Sequence, residues 1–391
     1  MKKIEVIISC SVKFHAFNLA EQLDKHGMLA QLYTSYSSIK NPLAKYLVSR
    51  RDKENIPENK ISTFLIIAVG LKVYKNPYFW NELFDRWVAW KIKRSKATVF
   101  IGWSGMSLHS LRAAKKKGMT TILERGSSHI SFQKKILTDE YANVNQEFHF
   151  NDKVEKKELI EYQEADYISV PSQFVYDSFI NYGINAQKLI KNNYGASNLF
   201  SITSETKKHS KFIIIYLGAL MVRKGLTYLF QALKQLDIPE DAYEVWFIGD
   251  ILKELKLEIE SSRKENWKFK GHIPQHELLE LLSHGDVGIA PSLEEGLSMV
   301  IPQQLKCGIP VIASSNTGGA DIIINEKSGF IVPIRNPQAI VEKIQFLYYN
   351  PEKLSEMKHF IANNPIDLSW DAYGERYRAA ILNIFNSKVC L

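Results

Sequence analysis

Cysteine is scarce in this chain. Its three, Cys10, Cys307 and Cys390, are far apart, odd in number and outside any C-x-x-C or Cys/His cluster, which leaves no zinc site or disulfide framework to expect and fits a reducing cytosol best. Long apolar runs are lacking too. The stretch from Phe64 to Leu71 is far below the roughly 20 residues that span a bilayer, so no transmembrane helix is expected. The opening Met1-Lys2-Lys3 has the charge of a signal peptide, but Glu5 interrupts it and the apolar stretch ends by Ser9; residues 4–9 read as a buried strand. There is no low-complexity segment, no G-x-x-x-x-G-K-[ST] loop and no Asp-x-Asp pair, so a Walker-type nucleotide site has no anchor.

What is present is the make-up of a folded protein, 45% hydrophobic and 24% charged over 391 residues, a length that suits two domains of roughly 150 to 200 residues. Charge is unevenly spread: residues 1–135 hold 24 Lys/Arg against 9 Asp/Glu, while the remainder is net acidic. Such a field attracts anionic lipid, nucleic acid or acidic saccharide without choosing among them.

An apolar run at residues 4–9 leads through a polar loop into Ala16, Leu19, Ala20 and Leu23 at helical spacing, closed by Gly27. Thr98 to Trp103 as strand, Met106 to Lys117 as helix and Thr120 to Glu124 as strand continue the alternation, which predicts a parallel sheet with crossover helices. Between Ala196 and Lys211 apolar residues thin out, as at a domain boundary. The pattern then restarts with Phe212 to Leu217 as strand and Leu226 to Leu236 as helix; Tyr243 to Ile248, Val287 to Pro291 and Pro310 to Ser314 supply further strands, with helices at Gln275 to Ser283 and Ser298 to Cys307. The expected fold class is α/β, two doubly wound Rossmann-like domains, residues 1–200 and 201–368, facing across a cleft. In such sheets ligands sit beyond the carboxyl ends of strands.

The most informative stretch is PSLEEGLSMVIPQQLKCGIPVIAS, Pro291 to Ser314. A strand ends in two carboxylates, Gly296 allows a tight turn, and a helix start near Ser298 offers unpaired backbone N–H groups. A carboxylate there accepts hydrogen bonds from sugar hydroxyls; the same spacing also describes an acidic loop with a helix cap. The second constellation, Gly218-Ala219-Leu220-Met221-Val222-Arg223-Lys224-Gly225, puts adjacent cations at a helix opening, where a pyrophosphate would be met or where two cations are simply solvated.

The first stretch resembles the signature of the family 4 retaining glycosyltransferases of GT-B type. That resemblance implies Glu295 as the residue that binds donor-sugar hydroxyls, the amides of Gly296, Leu297 and Ser298 near sugar and phosphate, and Gln303 where the family's second, ribose-holding glutamate stands. Gln keeps an acceptor and loses the charge. The segment from Gly218 to Gly225 is similar to the family's phosphate loop, with Ala219 departing from its Gly-Arg form and Arg223 and Lys224 supplying charge. Lys268 to Pro274, through Ile273, looks like the segment that pairs with the nucleotide base. In the N-terminal half the resemblance assigns His129 a reach across the cleft to the donor sugar, a place where a satisfied polar loop residue is the plainer reading, and leaves Trp103, Ser104 and Gly105 to line the acceptor side. The first loop, Ser9 to His15, lacks the family's glycine pair. Residues 369–388 resemble a terminal helix that returns to the N-terminal domain.

The resemblance therefore implies a transferase moving a sugar, with retention, from a nucleotide diphospho-sugar to an acceptor hydroxyl in envelope polysaccharide or lipid-linked saccharide synthesis. Glu295 and His129 are its expected catalytic residues. No metal or other cofactor is expected, because cations stabilise the leaving diphosphate. Expected partners are the nucleotide-sugar, a saccharide or lipid-linked acceptor and an anionic membrane surface, on a cytoplasmic protein peripheral to the membrane; no nucleic-acid motif is present. An epimerase or phosphorylase on the same architecture, or an inactive transferase-like partner subunit, is the alternative.

Overall fold

The structure, a computed structural model, describes residues 3–36, 55–202 and 210–389. Parallel strands buried on both faces must be apolar nearly throughout, and Val6–Cys10 (β1), VIISC, is buried at every position. β1 is joined by Leu29–Thr34 (β2), Ile61–Thr63 (β3), Val99–Trp103 (β4), Thr120–Glu124 (β5), Tyr167–Val170 (β6) and Leu189–Lys191 (β7) in one parallel sheet ordered β3-β2-β1-β4-β5-β6-β7. A second parallel sheet is made by Phe212–Leu217 (β8), Tyr243–Ile248 (β9), Trp267–Gly271 (β10), Val287–Ala290 (β11), Val311–Ser314 (β12) and Gly329–Val332 (β13), ordered β10-β9-β8-β11-β12-β13. In each sheet the first strand lies inside and the chain winds outward to both sides. Strand order thus reverses beside β1 and beside β8, where a crevice opens at the carboxyl ends.

The crossover helices follow the sequence periodicity. In Ala16–Lys25 the residues at helical spacing, Ala16, Leu19, Ala20 and Leu23, are fully buried. One helix starts later than its sequence implies: after β11 the chain stays irregular through Ser298, and the helix is Val300–Lys306. The stretch 203–209 of the linker lies outside the described residues.

The last helix, Trp370–Val389, follows the second sheet in sequence but packs on Ala16–Lys25 of the first domain. Lys25 Nζ donates to Asp371 at 2.7 Å, and Tyr377 and Ile381 are fully buried. Apolar packing is continuous across the two domains: one cluster joins Val6, Ile8 and Ile101 to Leu297, Ile301 and Tyr373. No helix among the described residues is long and apolar enough to cross a membrane.

Candidate active site

Between the two sheets, at their carboxyl ends, lies a cavity of about 900 Å³. The second domain contributes Arg223 and Lys224 from the loop after β8, and Glu295, Leu297 and Ser298 from the loop after β11. The first contributes His15 after β1, Trp103, Ser104 and Gly105 at and after β4, and Arg125 after β5.

The two loops of the second domain are pressed together. Gly225 has φ 72°, and a Cβ there would stand 2.0 Å from the carbonyl oxygen of Pro291, so a side chain would push the cations off the β11 loop. Arg223 Nε donates to the Glu294 carbonyl at 2.9 Å, and its guanidinium pairs with the Glu294 carboxylate at 2.8 Å. Lys224 pairs with Glu295, which also accepts from Ser292 Oγ at 3.3 Å.

Glu294 is fully buried and ties the domains together. Its carboxylate accepts from Ser127 Oγ at 2.7 Å, Ser128 N at 2.9 Å, Ser128 Oγ at 2.6 Å and Gln133 Nε2 at 2.9 Å. Burial pushes this carboxyl up, but the Arg223 charge and the serine donors outweigh burial and bring it down to about 2. Contact between the domains is tight here: a Cβ on Gly296 would lie 2.1 Å from the Gly126 carbonyl oxygen.

On the opposite wall His15 Nε2 lies 3.0 Å from Glu124 Oε2. The ring packs against Tyr194, with centroids 4.2 Å apart, and Trp103, at 5.1 Å. Arg125 is buried beside the Glu294 network and joins it through Gln133 at 3.0 Å, with Nε donating to the Ser128 carbonyl at 3.0 Å and the guanidinium 3.0 Å from Glu158. The Gly105 amide turns away from the cavity to Glu161 Oε2 at 2.6 Å; burial, partly countered by Lys157, raises that carboxyl to about 8.

Of the residues singled out from sequence, Arg223, Lys224, Glu295, Leu297, Ser298, Trp103, Ser104 and Gly105 line this one cavity. Gly218, Ile273 and Gln303 lie outside its lining. Because the helix starts at Val300, Gln303 stands one turn into it. The Ser298 amide is not open to a ligand, since it donates to the Thr317 carbonyl at 2.9 Å.

His129 requires a correction. It caps the helix Ile130–Asn143 with its ring, its Nδ1 accepting from Ser131 N at 3.3 Å, and it stacks on Tyr182 at 4.4 Å within a group that includes Tyr162 and Phe179. The ring is buried in the first domain and does not line the cavity. Burial, with Arg125 nearby, lowers its pKa to about 4, so it is neutral at neutral pH. The cavity's histidine is His15, which sequence reasoning passed over together with Glu124 and Glu294. Both His15 and Glu124 follow or end a central strand, so the strand-end rule applied to the first domain points to them.

One group among the described residues has metal-ligand spacing, Glu82, Asp85 and His109. Lys157 pairs with Glu82 and lies 3.1 Å from Asp85, so an ammonium already holds the place of a cation there.

Residues 199–364 match the family model described as glycosyl transferases group 1. The amylovoran biosynthesis glycosyltransferase AmsK of Erwinia amylovora is 27% identical over 150 residues, 36% of this chain and 37% of AmsK. Curated relatives such as this one are matched over about a third to 58% of their own lengths. Among solved structures, Anabaena HepE in complex with UDP superposes with a TM-score of 0.71 at 15% identity, covering 97% of this chain and all of HepE. WaaG, a glycosyltransferase involved in lipopolysaccharide biosynthesis, gives 0.68 at 13% identity over 96% of this chain and 99% of WaaG. The protein therefore has the two-domain GT-B fold, and residues 199–364 of it are similar to the group 1 glycosyl transferases.

Proposed function

We propose that the protein transfers a sugar from a nucleotide diphospho-sugar to an acceptor hydroxyl, with retention at the anomeric carbon, in the assembly of envelope polysaccharide or a lipid-linked saccharide. The observation that carries this reading is that Arg223, Lys224 and the Glu295 carboxylate paired with Lys224 stand together on one wall of an interdomain cavity of about 900 Å³. Two cations meet a diphosphate and offset the charge that develops as it leaves, and a carboxylate beside them takes sugar hydroxyls. The nucleotide runs out of the cavity toward Gly218, Ile273 and Gln303. No metal takes part in this reading. HepE, which shares the fold, has been crystallised with UDP and with UDP-glucose, which supports a donor of this class. The names of AmsK and WaaG support the pathway.

The acceptor is brought by docking on an anionic membrane surface. On the helices Ile66–Val73 and Pro77–Ile92, Trp90 is 46% exposed, with Lys91 Nζ 5.2 Å and Arg94 Cζ 4.9 Å from its ring, and Ile66, Val73 and Phe79 are exposed. Trp87 instead stacks on Phe64, and Trp80 donates to the Tyr74 carbonyl at 2.8 Å. Five further cations, Lys40, Lys45, Arg50, Arg51 and Lys53, lie outside the described residues.

The test is an NMR screen of UDP-, GDP- and ADP-sugars for release of nucleoside diphosphate, with EDTA and without. Release that EDTA leaves unchanged and a product of unchanged anomeric configuration support the reading. A folded protein that binds UDP but releases it from no donor is a transferase-like partner subunit. Co-sedimentation with phosphatidylglycerol vesicles that falls with salt, and is weakened in Trp90→Ala, tests the docking surface.

A further inference from the structure

The loop that carries Arg223 and Lys224 is tied to the first domain at two points. One is Arg223 itself, whose guanidinium donates to Ser127 Oγ at 3.0 Å. The other runs through Glu254, which follows β9 in the second domain. Its carboxylate accepts from the Val222 amide at 2.7 Å and from the Tyr141 hydroxyl at 2.9 Å. Tyr141 belongs to the first-domain helix Ile130–Asn143, and Gln146, just past that helix, donates from Nε2 to the Glu254 carbonyl at 2.7 Å. The first domain thus grips Glu254 by side chain and backbone together.

Packing fixes the phenol as firmly as its hydrogen bond does. Tyr141 is 8% exposed, and the apolar cluster that holds it is the second domain's own, with Val222, Leu226 and Leu255. One turn earlier on the same helix, Ile136 and Leu137 meet the fully buried Leu293 of the β11 loop. Burial, and after it the Glu254 contact, push the Tyr141 phenol well above its usual range, so it keeps its proton and donates. Val222 opens the short helical turn Val222–Lys224, whose first amide has no partner inside the turn. Without Glu254 the amide that leads into the two cations is left unpaired.

Resting on the transferase reading above, we propose that Tyr141 is a positioning residue for the donor's diphosphate, acting through Glu254 on the backbone of Val222, Arg223 and Lys224. Neither Tyr141 nor Glu254 lines the cavity, so neither touches the ligand. The diphosphate is then held at full strength only while the first domain is docked, whereas the nucleoside, which the transferase reading places toward Gly218, Ile273 and Gln303, needs no such help. Tyr228 supplies the contrast. It reaches the same helix, its hydroxyl donating to Glu140 at 3.2 Å, and Glu140 pairs with Arg335 at 2.7 Å. Among the described residues no hydrogen bond of that chain reaches Val222–Lys224.

The experiment uses the full chain, with UDP, GDP and ADP measured by calorimetry and their nucleosides by saturation-transfer NMR. Tyr141→Phe keeps the ring in its apolar seat and removes only the hydroxyl. The diphosphate that the parent prefers should bind about three- to tenfold more weakly, while its nucleoside binds as before. A hydrogen bond that served stability alone would not separate the two ligands. Tyr228→Phe, which removes a hydroxyl from the same interface, should leave both affinities within about twofold. Glu254→Ala should weaken the diphosphate at least as much as Tyr141→Phe, and adding Tyr141→Phe to it should cost nothing more, since the two act as one link. Glu254→Gln keeps an acceptor for the Val222 amide and should recover most of the affinity. A folded Tyr141→Phe that binds the diphosphate as tightly as the parent, or that loses nucleoside and diphosphate alike, overturns the positioning role and spares the transferase reading. A folded parent that binds none of the three diphosphates overturns both.

Discussion

The two walls of the cavity are built on opposite principles. On the second-domain wall every charge is matched in place: Arg223 by Glu294, Lys224 by Glu295. On the first-domain wall His15 leans on one buried carboxylate among aromatic rings and keeps a nitrogen free. The first arrangement can take up an anion only by exchanging one of its own carboxylates for it; the second carries no such pair of cations. Glu294 and Glu295 are neighbours in sequence, yet one belongs to the interface between domains and the other lines the cavity.

The sharpest way to break that last distinction is by stability. Glu294→Ala strands Arg223 and four donors and should cost about 3–5 kcal/mol, measured by chemical denaturation, whereas Glu295→Ala, whose partner Lys224 reaches solvent, should cost a fraction of that. The same difference has a pH signature. The Glu294 carboxyl is lowered from 4.5 to about 2 in the folded chain, so its contribution is complete above about 4.5 and is lost as pH falls toward 2. Acid unfolding should therefore move in Glu294→Ala and hardly in Glu295→Ala; equal shifts in both would merge the two residues into one role.

Next in size is the effect on ligand. Removing both cations in Arg223→Ala, Lys224→Ala takes away charged hydrogen bonds worth about 1.5–3 kcal/mol each, so UDP binding by calorimetry should fall roughly a hundredfold or more. Glu295→Gln, in contrast, releases Lys224 from its pair: UDP should bind as well or better while turnover drops about tenfold or more. Unaltered UDP binding by the folded double variant would remove the phosphate from this wall.

The smallest effect is expected at His129. His129→Gln should leave turnover within about twofold, because the ring faces Tyr182 and not the cavity. It should change acid tolerance, since the ring's pKa is lowered from 6.5 to about 4. The neutral ring contributes stability above about 6.5, and that contribution is lost as pH falls through 6.5 toward 4. Loss of most turnover in His129→Gln would return the residue to the chemistry.

These contrasts also explain what could be read from the chain alone. The strands β8, β9, β11 and β12, whose apolar runs have to be continuous because both faces are covered, were legible almost to the residue, whereas the edge strand β10, WKFKG and exposed at its end, was not read as a strand. So was the second-domain wall, because its residues sit in two short segments, 218–225 and 291–298. The first-domain wall is assembled from side chains more than a hundred positions apart, His15 and Glu124, and no local pattern announces such a pair. The helix start expected near Ser298 falls later because Glu295 and Ser298 give their amides to the Asn316 and Thr317 carbonyls before a helix begins. His129 misled for a different reason: its residue type and strand-end position suited the cleft, and only the aromatic group around it turns the ring inward.

The closing helix Trp370–Val389 leaves a mark on biosynthesis. It lies on Ala16–Lys25, so the ribosome must finish the entire second domain before the first can be covered. Until then the face of Ala16–Lys25 that carries Gln22 and Lys25 lacks its cover, and the nascent first domain should depend on chaperones more than an independent folding unit would. Chains cut before residue 370 should accumulate as aggregates even though both sheets are encoded in full.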